Sequence, residues 1–155
     1  VLALLSQVAA YNRDLPLPEP SAAGSFADML SNLRRIARPG TSLFLISDFY
    51  GSSQEHAREH LFQLAQHTEL TAIACSDPLE SRLPRAGKYA VTDGNERSEL
   101  HTADRKLRHA YEQRFQQRRE VLSQDLLRLG IPMLQASTDR APFTLLQQFY
   151  GDTRR

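Results

Sequence analysis

Two hydrophobic rhythms divide the chain: short unbroken apolar runs, and longer stretches with apolar residues every three or four positions. The central run is SLFLISDFY at residues 42–50. Leu43, Phe44, Leu45 and Ile46 are continuous and β-prone, as expected of a strand buried on both faces of a parallel sheet. Leu2, Leu5, Val8 and Ala9 before it recur at helical spacing, and Pro16, Pro18 and Pro20 then enforce a loop over 14–24. Ser25 with Asp28 reads as a capping box, opening a helix with Phe26, Met29, Leu30, Leu33 and Ile36 on one face. Pro39 and Gly40 end it.

After the central strand, Ser52 or Ser53 is placed to cap a helix over 53–67 that carries Ala57, Leu61, Leu64 and Ala65 on one side. LTAIAC at 70–75 is a second strand, and the strand, helix, strand order favours a right-handed crossover and a parallel pair. Residues 88–91 and 98–100 flank an Asp93-Gly94 turn and read as a small β-hairpin beside the main sheet. Residues 103–129 form the longest helical pattern, through Leu107, Tyr111, Phe115, Leu122, Leu126 and Leu129, with Gly130 as its carboxyl cap. Ile131 to Leu134 supply a third parallel strand entered at Pro132, and a last helix over 141–150 is capped near Asp139. Its Phe143, Leu146, Phe149 and Tyr150 are suited to packing on the sheet. The pattern itself gives an α/β class: a parallel sheet with helices packed on it and a small β-hairpin.

Composition narrows the function classes. The chain has 155 residues, enough for one domain, and 19 basic against 18 acidic residues leave a charge of +1, which offers no field for nucleic acid. The single cysteine, Cys75, excludes an intrachain disulfide framework and reads as a structural thiol buried at a strand end. No apolar stretch is long enough to span a bilayer, and nothing has the form of a signal peptide. Those absences favour a cytoplasmic location, with a membrane anchor on the full-length protein left open. The first residue is Val1 and helix-like sequence starts at once, so the chain reads as part of something longer.

Asp48 is the leading chemical candidate. It falls at the carboxyl end of the central strand, where open α/β sheets place their ligands, and it either binds a metal or caps the following turn. Asp77 ends the second strand on the same sheet edge. With Ser25 these make an oxygen set for a hard divalent ion such as magnesium. His56 and His60 sit one helical turn apart but lack the glutamate of a metalloprotease motif and a third ligand, and read as solvent-facing. Gly51-Ser52-Ser53 reads as a helix entrance, and Arg114, Arg118 and Arg119 as a solvated helix face more than an anion site. No nucleophile elbow, phosphate loop or dinucleotide fingerprint occurs.

Ser25 and Asp48 also carry a resemblance. Residues 24–30 followed by LFLISDF, then DPLE at 77–80, GKYAVTDG at 87–94, the helix with Tyr111 and Phe115, and GIPMLQASTD at 130–139 together resemble the von Willebrand factor A-like domain of the bacterial domain-of-unknown-function 58 family. The resemblance implies a metal-ion-dependent adhesion site in which Ser25 and Asp48 are ligands for magnesium or manganese and Asp77 is auxiliary. It also implies an Asp-x-Ser-x-Ser loop that has no counterpart here. The implied fold is a partial doubly wound, Rossmann-like parallel sheet with helices on both faces. Residues 1–155 then form a single partial domain lacking its first strands, with an incomplete metal site and an exposed edge on the 42–47 strand that the helix over 1–10, a second copy of the chain or a swapped element can cover. The implied function is a non-enzymatic protein-interaction module working with a MoxR-type AAA+ ATPase in complex assembly or maturation. The enzymatic alternative is a divalent-metal phosphohydrolase or phosphotransfer domain using Asp48 and Asp77.

Overall fold

In the computed structural model, which describes residues 2–13, 24–92 and 96–151, the three apolar runs form one parallel sheet. Strand β1 (Ser42–Ser47) pairs with β2 (Glu69–Ser76), and β2 pairs with β5 (Met133–Ser137), in the order β1-β2-β5. The register sets Leu43 beside Leu70 and Leu45 beside Ala72, while Ala72 stands beside Met133. Strands β3 (Lys88–Thr92) and β4 (Arg97–His101) form a separate antiparallel pair. The architecture is mixed α/β, a three-stranded parallel sheet flanked by helices with a small β-hairpin beside it.

The period-two geometry of a strand decides what β1 buries. Leu45 points into the core with Leu70 and Ala72, whereas Phe44 and Ile46 are 49% and 68% exposed on the opposite face. The expectation of a strand buried on both faces is corrected by its position: β1 is the edge of the described sheet, and that outer face is only partly covered. The partial cover comes from α6 (Pro142–Gly151), whose Tyr150 ring meets the edge of Phe44 at 6.4 Å. Phe143 on the same helix is 73% exposed, so packing of that helix on the sheet is incomplete.

The inner face is covered by helices that the apolar spacing anticipates. Helix α2 (Phe26–Ile36) begins with the expected capping box and buries Leu30 completely, although Ile36, expected on the same face, is 75% exposed. Helix α3 (Glu55–His67) buries Ala57, Leu61 and Leu64. It starts later than expected: Gln54 is its N-cap and makes no side-chain cap, so neither Ser52 nor Ser53 caps it. Helix α5 (Arg105–Arg128) is capped by Asp104, which accepts from the Lys106 and Leu107 amides, and it buries Phe115 and Leu126. It ends in a Schellman arrangement. Gly130 takes φ of +69°, its amide reaches Leu127, and the Ile131 amide reaches the Leu126 carbonyl at 2.9 Å. This tight exit consumes Ile131, so β5 begins at Met133, two residues later than expected, and Pro132 stays just outside it.

The hairpin has its own anchor. Thr102 is fully buried, accepts from the Gly87 amide at 3.0 Å and donates to the Arg85 carbonyl at 2.7 Å. Helix α1 (Leu2–Arg13) forms where the spacing places it, with Leu5 exposed. The proline-rich stretch at 14–23, the Asp93-Gly94 turn and the polar tail at 152–155 lie outside the described residues. Among the described residues no helix is long and apolar enough to cross a membrane.

Candidate functional site

All three parallel strands end on the same residue chemistry: Ser47-Asp48 after β1, Ser76-Asp77 across the end of β2, and Ser137-Thr138-Asp139 after β5. Neighbouring strands lie about 4.8 Å apart, so the three ends form one polar rim. That rim borders a cleft of about 1140 Å³, closed on its other side by α5 and by α4 (Pro78–Ser81). Asp48, Asp77 and Asp139 all line it.

The first two aspartates make the same local turn. The Asp48 carboxylate accepts from the Tyr50 amide at 3.0 Å, and Asp77 accepts from the Leu79 amide at 2.8 Å. Asp77 is also the N-cap of α4, with Glu80 accepting from its backbone amide at 2.9 Å. The Thr138 hydroxyl adds a third bond to Asp77 at 2.5 Å, tying the β5 end to the β2 end. Led by that hydroxyl, these donors hold the Asp77 carboxyl below the usual aspartate range. Asp139 accepts from the Ser137 hydroxyl, so it serves the rim and not, as expected, the start of the last helix, whose first turn bonds Thr144 to Ala141.

The loop after Asp48 is held by packing. Phe49 is 4% exposed and adopts φ of +57°, a left-handed conformation that costs a non-glycine residue about 1–2 kcal/mol. Its ring lies 5.6 Å from Phe26, and its amide donates to the Ser47 hydroxyl at 3.0 Å, which fix the turn despite that cost. Gly51 follows at φ of +83°, where a side chain is strained. The N-terminus of α2 therefore abuts the loop that carries Asp48.

The structure brings together only part of the sequence-derived set. Asp48 and Asp77 share the cleft, but Ser25 is not among its lining residues. The Ser25 hydroxyl donates to Asp28 at 2.7 Å and accepts from the Asp28 amide at 3.1 Å, closing the cap of α2. The Ser25 hydroxyl and then the Ser25 backbone amide, both donating to the Asp28 carboxylate, hold it below its ordinary range. Among the described residues no three His, Cys, Asp or Glu side chains form a metal-holding group. Magnesium is commonly held by one or two carboxylates with waters completing its octahedron; of the expected oxygens, Asp48 and Asp77 share the cleft while the Ser25 hydroxyl is engaged by Asp28.

Other candidates separate cleanly. Cys75 is half-buried and lines the cleft, where burial and then the Asp48 charge push its thiol upward, the opposite of nucleophile activation. His60 accepts from Arg34 at 2.9 Å and joins α3 to α2, whereas His56 is exposed. Three of the arginines of α5 border the cleft: Arg114, Arg118 and Arg119 all line it, joined by Arg82 and Arg140. Arg114 and Arg118 are exposed, in line with the reading of a solvated helix face, and also border the cleft; that reading overlooked Asp139 as a rim residue. The recurring Ser-Asp after successive strands was the available signal for Asp139. The arginine wall had none, because the sheet end that α5 faces is set by the crossover.

Neither a curated protein nor a solved structure matches the chain. The family model described as protein of unknown function DUF58 matches residues 2–121, most of the chain and all of β1, β2, the hairpin and the cleft-facing arginines of α5. The chain therefore belongs to the DUF58 family.

Proposed function

We propose that this chain is a non-enzymatic protein-interaction module whose ligand site is the cleft at the carboxyl ends of the sheet. The observation that carries this reading is the rim of Ser-Asp strand ends around a cleft of about 1140 Å³. That volume exceeds the roughly 300–1,000 Å³ of small-molecule pockets, and suits a segment of a partner protein. The side chains in it favour binding over turnover. The Asp48 and Asp77 carboxylates are engaged by turn amides, and the one thiol is shifted away from its reactive form.

The finer reading comes from the von Willebrand factor A-like resemblance. On that reading an Asp-x-Ser-x-Ser loop outside these residues would complete a site with Ser25 and Asp48, and a MoxR-type AAA+ ATPase is the partner class. The residues of this chain do not make that metal site unaided, so no step of recognition is derived through an ion.

The test is biolayer interferometry between the full gene product and the MoxR-type ATPase of the same organism, with Asp48→Ala as the variant. At least a tenfold loss of affinity is expected. Unchanged affinity overturns the role of Asp48, and metal-dependent phosphomonoester turnover that vanishes in Asp48→Ala would favour the enzymatic reading instead.

A further inference from the structure

The charges lining the cleft are unequally satisfied. Five acids and five arginines border it. Every acid has a partner within the fold, although only Asp125 meets a cation: Asp125 pairs with Arg58 at 2.6 Å, Glu80 caps α4, and Asp48, Asp77 and Asp139 accept from neutral amides and hydroxyls of their turns. Of the arginines only Arg119 is engaged, donating to Gln135 and lying 5.5 Å over the Phe115 ring. The side chains of Arg82, Arg114, Arg118 and Arg140 make no ion pair or hydrogen bond among the described residues.

Their placement adds to the imbalance. Arg114 and Arg118 stand one helical turn apart, a like-charge spacing that weakens a helix unless something relieves it. Val121, 44% exposed and one turn further along α5, and Leu79, 59% exposed, line the same cleft. Guanidinium groups are the best side-chain matches for carboxylates, because their forked donors bind both oxygens.

We infer that the arginine wall of this cleft, Arg114 and Arg118 with Arg82 and Arg140, takes an acidic peptide segment whose carboxylates are interspersed with apolar residues. The inference rests on the reading of the chain as a protein-interaction module and supplies the chemistry of its partner. Charge complementarity selects the ligand. The guanidiniums receive its carboxylates, and the exposed Val121 and Leu79 receive its apolar side chains. A nucleic-acid strand fits less well. Its phosphate charge is unbroken, so part of it would lie against Asp48, Asp77 and Asp139, whereas a peptide can set apolar residues there and its carboxylates against the guanidiniums.

Fluorescence anisotropy tests this in EDTA, with a labelled ten-residue peptide of alternating Glu and Leu, its Gln-for-Glu counterpart, and a ten-nucleotide oligothymidylate as competitor. The Glu peptide is expected to bind at least tenfold more tightly than the Gln peptide and to weaken with added salt. R114E/R118E and R114Q/R118Q, folded by circular dichroism, lose at least tenfold, while Arg105→Glu, on α5 but outside the cleft, stays within twofold. Equal binding of the two peptides, an equal loss in Arg105→Glu, or preferential displacement by the oligonucleotide overturns the inference. The two proposals fail separately. ATPase binding that depends on Asp48 but not on the arginines defeats only the acidic-peptide inference, and arginine-dependent peptide binding without ATPase binding defeats only the Asp48 partner reading.

Discussion

Thr102 offers a sharp test of how the cleft's side wall is held. Its side chain is fully buried, and its hydroxyl clamps the segment just after Arg82, Leu83 and Pro84, which line the cleft. Thr102→Val keeps the shape and removes both hydrogen bonds, leaving the Gly87 amide unpaired while the Arg85 carbonyl keeps the Tyr89 hydroxyl. A typical bond contributes about 1 kcal/mol, and a buried group left unsatisfied costs about 1–3 kcal/mol. The added methyl returns about 0.8 kcal/mol, so the net loss is about 2 kcal/mol. For a domain of this size that corresponds to a fall in Tm of roughly 4–8 °C. Thr102→Ser keeps both bonds and loses one buried methyl, about 0.8 kcal/mol. Urea denaturation followed by circular dichroism measures both variants, and trypsin cleavage after Arg85 reports the local release, faster in the valine variant. A valine variant within about 0.5 kcal/mol of wild type, or a serine variant less stable than the valine one, refutes the reasoning.

Other outcomes follow from the same geometry. Leu30→Ala should cost about 2–5 kcal/mol, because the side chain is fully enclosed between α2, α3 and the sheet; urea melts showing less than about 1 kcal/mol would mean the site collapses freely. Asp28 and Asp77 have folded-state pKa values below the ordinary 3.8, so their contribution is complete above that value and is lost as pH falls through the lower folded values. D28N/D77N should therefore lose less stability than wild type between pH 5 and pH 2, in urea melts whose identical pH slopes would contradict the capping argument. The Cys75 thiol lies above the ordinary 9.0, so iodoacetamide should alkylate it more slowly at pH 9 than a free cysteine. Asp48→Asn, which removes the charge, should raise that rate, and an unchanged rate would show that Asp48 does not reach the thiol.

Much of the fold was written in local chemistry. The Ser25–Asp28 box, the Leu126–Gly130–Ile131 helix exit and the parallel order of the apolar runs each follow from residues within one helical turn or one crossover of each other. The boundaries that moved did so for local reasons with a tertiary trigger. Phe49 is pulled into the core beside Phe26, so the chain spends Tyr50 to Gln54 recovering before α3 starts, and the serines there are left without a capping role.

By itself, the sequence determined the α/β class, the helix faces, and the placing of Asp48 and Asp77 at one sheet edge, because periodicity and caps act over a few residues. Tertiary structure alone decided three things. It left Phe44 and Ile46 exposed on the outer face of β1, since burial of a sheet face depends on what packs over it and α6 covers it only in part. It brought Asp139 onto the same rim as Asp48 and Asp77, since lateral strand order is fixed by pairing. It turned Arg114 and Arg118 into the wall of a cleft, since a charged helix face has the same sequence pattern whether it meets bulk water or a sheet end.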